Sequence, residues 1–399
     1  MNKDNNKICS MSIRVSEEEL DKLKEAARIE SYASYSEFVR RTALLEASKA
    51  LREEKREERQ VILNNNMAFE EIVNSFDTEY SFRCGDTLLV NGDSLIELKK
   101  IPDNSISLIL TDPPYHSTQK KNIYGDTAFK IDEEYLEWMQ KYSHEWKRIL
   151  KHNGSVFCFC SSSMECQLAT MFSNEFNILS RIVWTKPNAP GYDGWKQKMK
   201  KEALRQWYAH SERILFMEPN CSGNLFQSYF GVKLKEWRAI TGLSGNKLTE
   251  MVGAFGKVNH GGAVSNWEAG RNIPSRDQYE RIKVALLSTG KITDLPDYED
   301  IIRPFNVSKD VEFTDVWSFE NVKQYKGKHP AEKPVDLLSH AILATTYEND
   351  IVLDCFSGSG ATSVAAQMCG RKSVSIEIEK EWYKYSKDRI ANFSFFEMK

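Results

Sequence analysis

The 399-residue chain contains no run of about 18 apolar residues, so no segment is long enough to cross a bilayer as a helix. Its opening residues, Met1 to Lys7, are polar and lack the apolar stretch of a secretion signal. The expectation is a cytoplasmic protein with no membrane partner. Cysteine is scattered: eight residues with no Cys-x-x-Cys pair exclude zinc-finger spacing, and no metal is expected. They read as reduced core residues, Cys158 and Cys160 alternating within an apolar, strand-like run. A dominant charge is missing too. A formal net charge of −3 excludes a globally basic nucleic-acid binder, so any surface facing DNA must be local. Two stretches qualify: residues 231–291 carry ten Lys/Arg against five Asp/Glu, and residues 185–210 carry six against two. Charge runs are usually solvated faces, so these alone decide little.

The 41% hydrophobic content is ordinary for material that buries cores, and the length allows two or three domains. From Thr87 onward short apolar runs alternate with helical segments. Thr87–Val90, Ile106–Leu110, Ser155–Phe159 and Ile178–Trp184 read as strands and Glu133–Leu150 as a helix, the rhythm of a parallel, doubly wound α/β sheet. The rhythm breaks near Glu218, gives way to short helices over Gly231–Leu287, and returns at Pro334–Arg389. One α/β domain is split by an insertion.

Asp112-Pro-Pro-Tyr115 directly follows the strand ending at Leu110, at the carboxyl end where open α/β sheets bind ligands. An amino group conjugated to a purine ring is a poor nucleophile. A carboxylate and a backbone carbonyl that accept both N–H groups stabilise the charge it develops as it attacks. Asp112 and the Pro113 carbonyl can do this; Pro113 and Pro114 stiffen the turn, and Tyr115 offers a face to an unstacked base. The plainer alternative is a proline turn capped by Asp112. Further on, the strand Ile351–Asp354 runs through Cys355-Phe356-Ser357-Gly358-Ser359-Gly360 into a helix, aiming backbone donors at whatever lies above. Many nucleotide enzymes and some structural turns share such a loop. The next strand ends at Glu377, an acid suited to ribose hydroxyls.

Asp-Pro-Pro-Tyr first, then His329-Pro-Ala-Glu-Lys333-Pro334, then Asp354 through Gly360 and Glu377 resemble the β-class of amino-group DNA methyltransferases, over about 81–217 and 313–392. The resemblance implies a Rossmann-like sheet in circularly permuted motif order, S-adenosylmethionine as cofactor and adenine N6 in double-stranded DNA as the favoured target. Cytosine N4 is the alternative. It implies cofactor roles for Asp93, Asp354, Phe356, Ser357, Gly358 and Gly360, with Lys333 on the cofactor side and Glu377 at the ribose. Trp184-Thr-Lys186-Pro187 and Glu212 look like later motifs of the family; Cys355 and Ser375 depart from its common proline and glycine.

Two further resemblances concern DNA. A strand over residues 8–15 and helices opened by Ser16 with Glu19 and Ser34 with Glu37 resemble the ribbon-helix-helix family, which implies a homodimer and places Ser10, Ser12 and Arg14 toward bases. A dimerising arm is the plainer reading. Leu234 to Gly270, with Leu243, Leu248, Val252, Val264 and Trp267 as its core, resembles the lambda-repressor-like helix-turn-helix family. By that resemblance Ser265 and Asn266 read bases, while Lys257, Arg271 and Arg276 meet phosphates, in the position where β-class enzymes recognise their target. A helical lid is its alternative. The expected boundaries are an arm at 1–50, a charged linker helix at 51–80, a catalytic half at 81–217, the insertion at 218–312 and a cofactor half at 313–399. Competing functions are a transcriptional regulator on a methylase scaffold and an RNA or protein amino-group methylase. A partner nuclease is left open.

Overall fold

A computed structural model describes residues 14–29, 34–116, 128–187, 205, 207, 210–221, 227–254, 262–307 and 313–397. Residues 1–61 form one compact unit and 62–399 a second.

In the first unit, helix α1 (Glu17–Ile29) opens on the expected capping box: the Glu19 amide donates to Ser16 Oγ at 3.2 Å, and the Ser16 amide donates to Glu19 Oε2 at 2.7 Å. Leu20, Leu23, Phe38 and Val39 are all half-buried. The separate second helix and linker helix expected here are one 40-residue helix, α2 (Tyr35–Asn74), because no Gly or Pro interrupts the span. Arg14 and Val15 lie outside any strand; residues 8–13, including Ser10 and Ser12, fall outside the described residues.

The second unit is built on nine strands: β1 (Ser81–Cys84), β2 (Thr87–Asn91), β3 (Ile106–Thr111), β4 (Leu150–Cys160), β5 (Phe176–Thr185), β6 (Ser211–Pro219), β7 (Val316–Ser318), β8 (Ile351–Asp354) and β9 (Lys372–Glu377). Their order is β1-β2-β9-β8-β3-β4-β6-β5-β7. The sheet is mostly but not wholly parallel. β1 and β6 run against their neighbours, since β1 turns straight into β2, and β5 pairs antiparallel with β6 instead of crossing over to a parallel strand.

Side chains alternate between two cores, as a doubly covered sheet requires. Val156, Cys158 and Cys160 of β4 face α4 (Asp132–Ile149) and α5 (Glu165–Phe172), where Trp146 and Phe172 stack with ring centroids 5.6 Å apart. Phe157 and Phe159 face the other side, with α11 (Val335–Thr345) and α12 (Ala361–Met368). The chain leaves β3 toward β4 and leaves β8 toward β9, so the neighbouring strands β3 and β8 form the switch point of the sheet.

The insertion folds around its own core of Leu234, Leu248, Val252, Val264, Trp267 and Tyr279, with Leu243 packed against it. Its helices are α6 (Tyr229–Thr241), α7 (Gly245–Val252), α8 (Ala263–Glu268), α9 (Arg276–Leu287) and α10 (Tyr298–Ile301). Gly231 lets α6 approach α8: a Cβ there would lie 2.7 Å from the Trp267 carbonyl oxygen. The module is attached to the sheet through three side-chain contacts. His152 stacks on Tyr229 at 4.7 Å, Asn153 Nδ2 donates to the Glu299 carbonyl at 2.6 Å, and Arg303 Nε donates to Glu218 Oε2 at 2.9 Å. These residues mark the start of β4 and the end of the antiparallel β6, both at the amino-terminal end of the parallel strands.

Candidate active site

Thr111, the last residue of β3, links the two halves of the site. Its hydroxyl donates to Asp354 Oδ1 at 2.9 Å and accepts the Cys355 amide at 3.1 Å, so two segments 243 residues apart leave the sheet side by side. Above them lies a cavity of about 420 Å³, lined among others by Asp93, Asp112, Tyr115, Lys333, Phe356 and Glu377.

On the β3 side, Asp112 Oδ2 pairs with the ammonium of Lys333, whereas Asp112 Oδ1 is buried with no hydrogen-bond partner among the described residues. Lys333 also lies 3.4 Å from Glu212, and over the rings of Phe159 and Tyr115 at 5.0 and 5.3 Å. The expected place for Lys333 was the cofactor side; its charge instead sits on Asp112. Glu212 in turn pairs with Lys186 and accepts from the Tyr115 hydroxyl at 3.1 Å. Charges therefore alternate along Lys186, Glu212, Lys333 and Asp112. Burial opposes ionisation of Glu212, but Lys333 and Lys186 hold its carboxyl down at about 2. Burial pushes the Asp112 carboxyl upward, Lys333 opposes the shift and Glu212 adds to it. Burial favours a neutral Lys333, but its two acids outweigh this and raise its pKa.

On the β8 side, Gly358 (φ +50°) and Gly360 (φ +73°) sit in the left-handed region, and a Cβ on Gly358 would meet His329 Cε1 at 3.1 Å. Glu377 spans the turn, its two oxygens accepting the Gly358 amide at 2.7 Å and the Glu379 amide at 2.8 Å. Burial lifts its carboxyl to about 7 despite these donors, and lifts Asp354 to about 6. His329 is driven down to about 4 by burial, with Lys333 and Lys328 adding to the fall, so its ring is neutral near pH 7. Phe356 packs on Tyr142 at 5.1 Å and Trp138 at 5.7 Å. Asp93 accepts the Leu95 amide at 2.9 Å and caps a short helix, α3 (Ser94–Glu97), on the same wall. Ser357 Oγ is buried without a hydrogen-bond partner among the described residues.

Every residue expected in the catalytic turn or the cofactor site except Gly360 lines this one cavity. Gly360 lies at the base of the turn, capping α12. Of the residues expected on DNA, Ser265, Asn266, Arg271 and Arg276 do not line this cavity. Ser265 is exposed, and Arg271 donates to Asn266 Oδ1 at 3.2 Å. Arg276 is paired with Glu299 and stacked over Tyr298. Arg14 is exposed, and Lys257 falls outside the described residues. Lys186 and Glu212 emerge as members of the charged network. Glu212 was visible only as part of a motif, because it reaches Asp112 by the pairing of β6 with β4.

A family model described as DNA methylase matches residues 106–388, which span both halves of this cavity; the chain belongs to the N6/N4 DNA methylase family. Among curated relatives it is similar to the DNA adenine methyltransferase YhdJ of Escherichia coli strain K12, 28% identical over 307 residues covering 76% of this chain and 82% of the relative. It is also similar to the type II methyltransferase M2.LlaDCHI of Lactococcus lactis subsp. cremoris, 26% identical over 320 residues, 76% of this chain and 89% of the relative. Among solved structures, the M1.HpyAVI–SAM complex is 19% identical with a TM-score of 0.44, covering 76% of this chain and 98% of that one.

Proposed function

We propose that this chain transfers a methyl group from S-adenosylmethionine to the N6 amino group of an adenine flipped out of double-stranded DNA. The observation that carries the reading is Asp112 Oδ1, buried at the cavity with no hydrogen-bond partner within bonding geometry among the described residues, while Lys333 occupies the other oxygen. An exocyclic amino group placed there donates one N–H to Oδ1 and the other to the Pro113 carbonyl. That draws its lone pair away from the ring and stabilises the positive charge formed during attack. Pro113 and Pro114 supply no competing amide donors. The Tyr115 hydroxyl donates to Glu212, and its ring lines the cavity where a flipped base would stack. Adenine is preferred over cytosine because the similarity extends to a relative named as an adenine methyltransferase.

The β8 side fits the cofactor. A Ser357 hydroxyl without a partner among the described residues, two glycines without side-chain bulk, an aromatic wall at Phe356 and the Glu377 carboxyl suit an adenosine and an amino-acid tail. S-adenosylmethionine, when bound, supplies an activated methyl on a sulfonium. Asp93, Asp354, Phe356, Ser357, Gly358 and Gly360 would hold it, with Glu377 on the ribose. The arm before about residue 50 would pair two chains and add DNA affinity through residues such as Arg14, and Ser265, Asn266, Lys257, Arg271 and Arg276 are the proposed DNA contacts of the insertion.

The test is transfer of labelled methyl from S-adenosylmethionine to mixed genomic DNA, followed by digestion to nucleosides. N6-methyladenine is expected. Label in N4-methylcytosine would move the target to cytosine, and no label in DNA would overturn the reading.

A further inference from the structure

We infer that the inserted helical module grips a stretch of duplex DNA separate from the one whose base enters the cavity. The inference rests on the DNA reading of that cavity but uses different residues.

The anchors of the module set its place. Asn153 and His152 at the start of β4, and Glu218 at the end of β6, hold Glu299, Tyr229 and Arg303. Asp112 and Glu212 stand at the other end of the same strands. From Asn153 to Phe159 a strand rises about 20 Å, well beyond the reach of a side chain. These anchors fix the module at the end of the strands opposite the cavity.

The charges of the module point to a ligand on its outer side. Arg238 is committed to Glu268, Arg276 to Glu299 and Lys283 to Asp297, all within the module. Arg271 is different. Among the described residues it meets no carboxylate, is exposed, and bonds to Asn266 in the short helix α8 next to exposed Ser265. An exposed guanidinium joined to a half-buried amide suits phosphate and base edges. The module also carries the excess of cations noted in residues 231–291.

Two measurements on the full chain test the inference. First, without cofactor, the protein is mixed with a short duplex carrying the methylated motif and a differently labelled, motif-free long duplex. One protein holding both at once is expected; mutual displacement would overturn the inference. Second, Asn266→Ala with Arg271→Ala, checked for an unchanged melting curve, should weaken binding of the motif-free duplex about tenfold and reduce its salt dependence. Unaltered affinity of the double variant for the long duplex would overturn it. A wild-type protein that methylated no DNA would instead sink the catalytic reading, and the two-duplex measurement would still stand on its own.

Discussion

Asp112 shows how one buried charge is kept useful. A lone carboxylate at this depth would be driven to its neutral form, and Lys333 opposes that while leaving Oδ1 open. Asp112→Ala should therefore reduce transfer by about a hundredfold or more while S-adenosylmethionine affinity measured by calorimetry changes little, since Lys333 keeps Glu212 as a partner. Lys333→Met should act differently. Without the cation, Asp112 beside Glu212 takes up a proton at higher pH, so the acid limb of the turnover profile moves upward and activity returns in part as pH rises. An unmoved limb would show that Lys333 does not tune Asp112. Glu377 supplies a second pH dependence. Its carboxyl titrates near 7, and ribose hydroxyls donate best to the charged form, so cofactor affinity should rise from pH 6 to pH 8. In Glu377→Gln that rise should flatten, as calorimetry at the two pH values would reveal.

At the scale of elements, the turn between β8 and α12 depends on positive backbone angles. Gly358→Ala places a methyl against His329 in a conformation that L side chains avoid, so cofactor affinity should fall by about tenfold with little loss of folded protein. Equal affinity in the variant would mean that this turn is not the cradle. α1 raises a different issue. It has acids in its first turn and a capping box, yet Ala27 is its only buried residue, and its leucines, Leu20 and Leu23, are half-buried. Such a helix gains more from a second copy than from its own chain. Removing residues 1–50 should shift the mass measured by light scattering from dimer to monomer and lower apparent DNA affinity, while single-turnover methylation keeps its rate. A truncated dimer of full affinity would make the arm dispensable for both.

On the scale of the whole molecule, the switch point between β3 and β8 brings residues far apart in sequence to the lining of one cavity. Binding of S-adenosylmethionine should slow amide hydrogen exchange together at 354–360 and 377–379, leaving α6 through α9 unchanged. Slowing confined to the insertion would place the ligand elsewhere. Much of this arrangement was legible in the chain itself. Asp112-Pro-Pro-Tyr115 and Asp354 to Gly360 each follow a short apolar strand, and such local pairings of strand and turn are written in consecutive residues, as are the caps of the inserted helices and the period-2 alternation of β4. What depends on pairing across the sheet was not. Lys333 meets Asp112 across 221 residues of sequence, and Glu212 joins them through an antiparallel strand that no local pattern orients. The end of the sheet to which the insertion is fixed was likewise decided by Asn153, Glu218 and Arg303, whose partners are set by topology. Motifs and helices belong to the sequence because short-range periodicity and turn chemistry specify them. The charged network, and the separation of the inserted module from the cavity, belong to the tertiary structure, because only the order and direction of the strands determine which distant side chains meet.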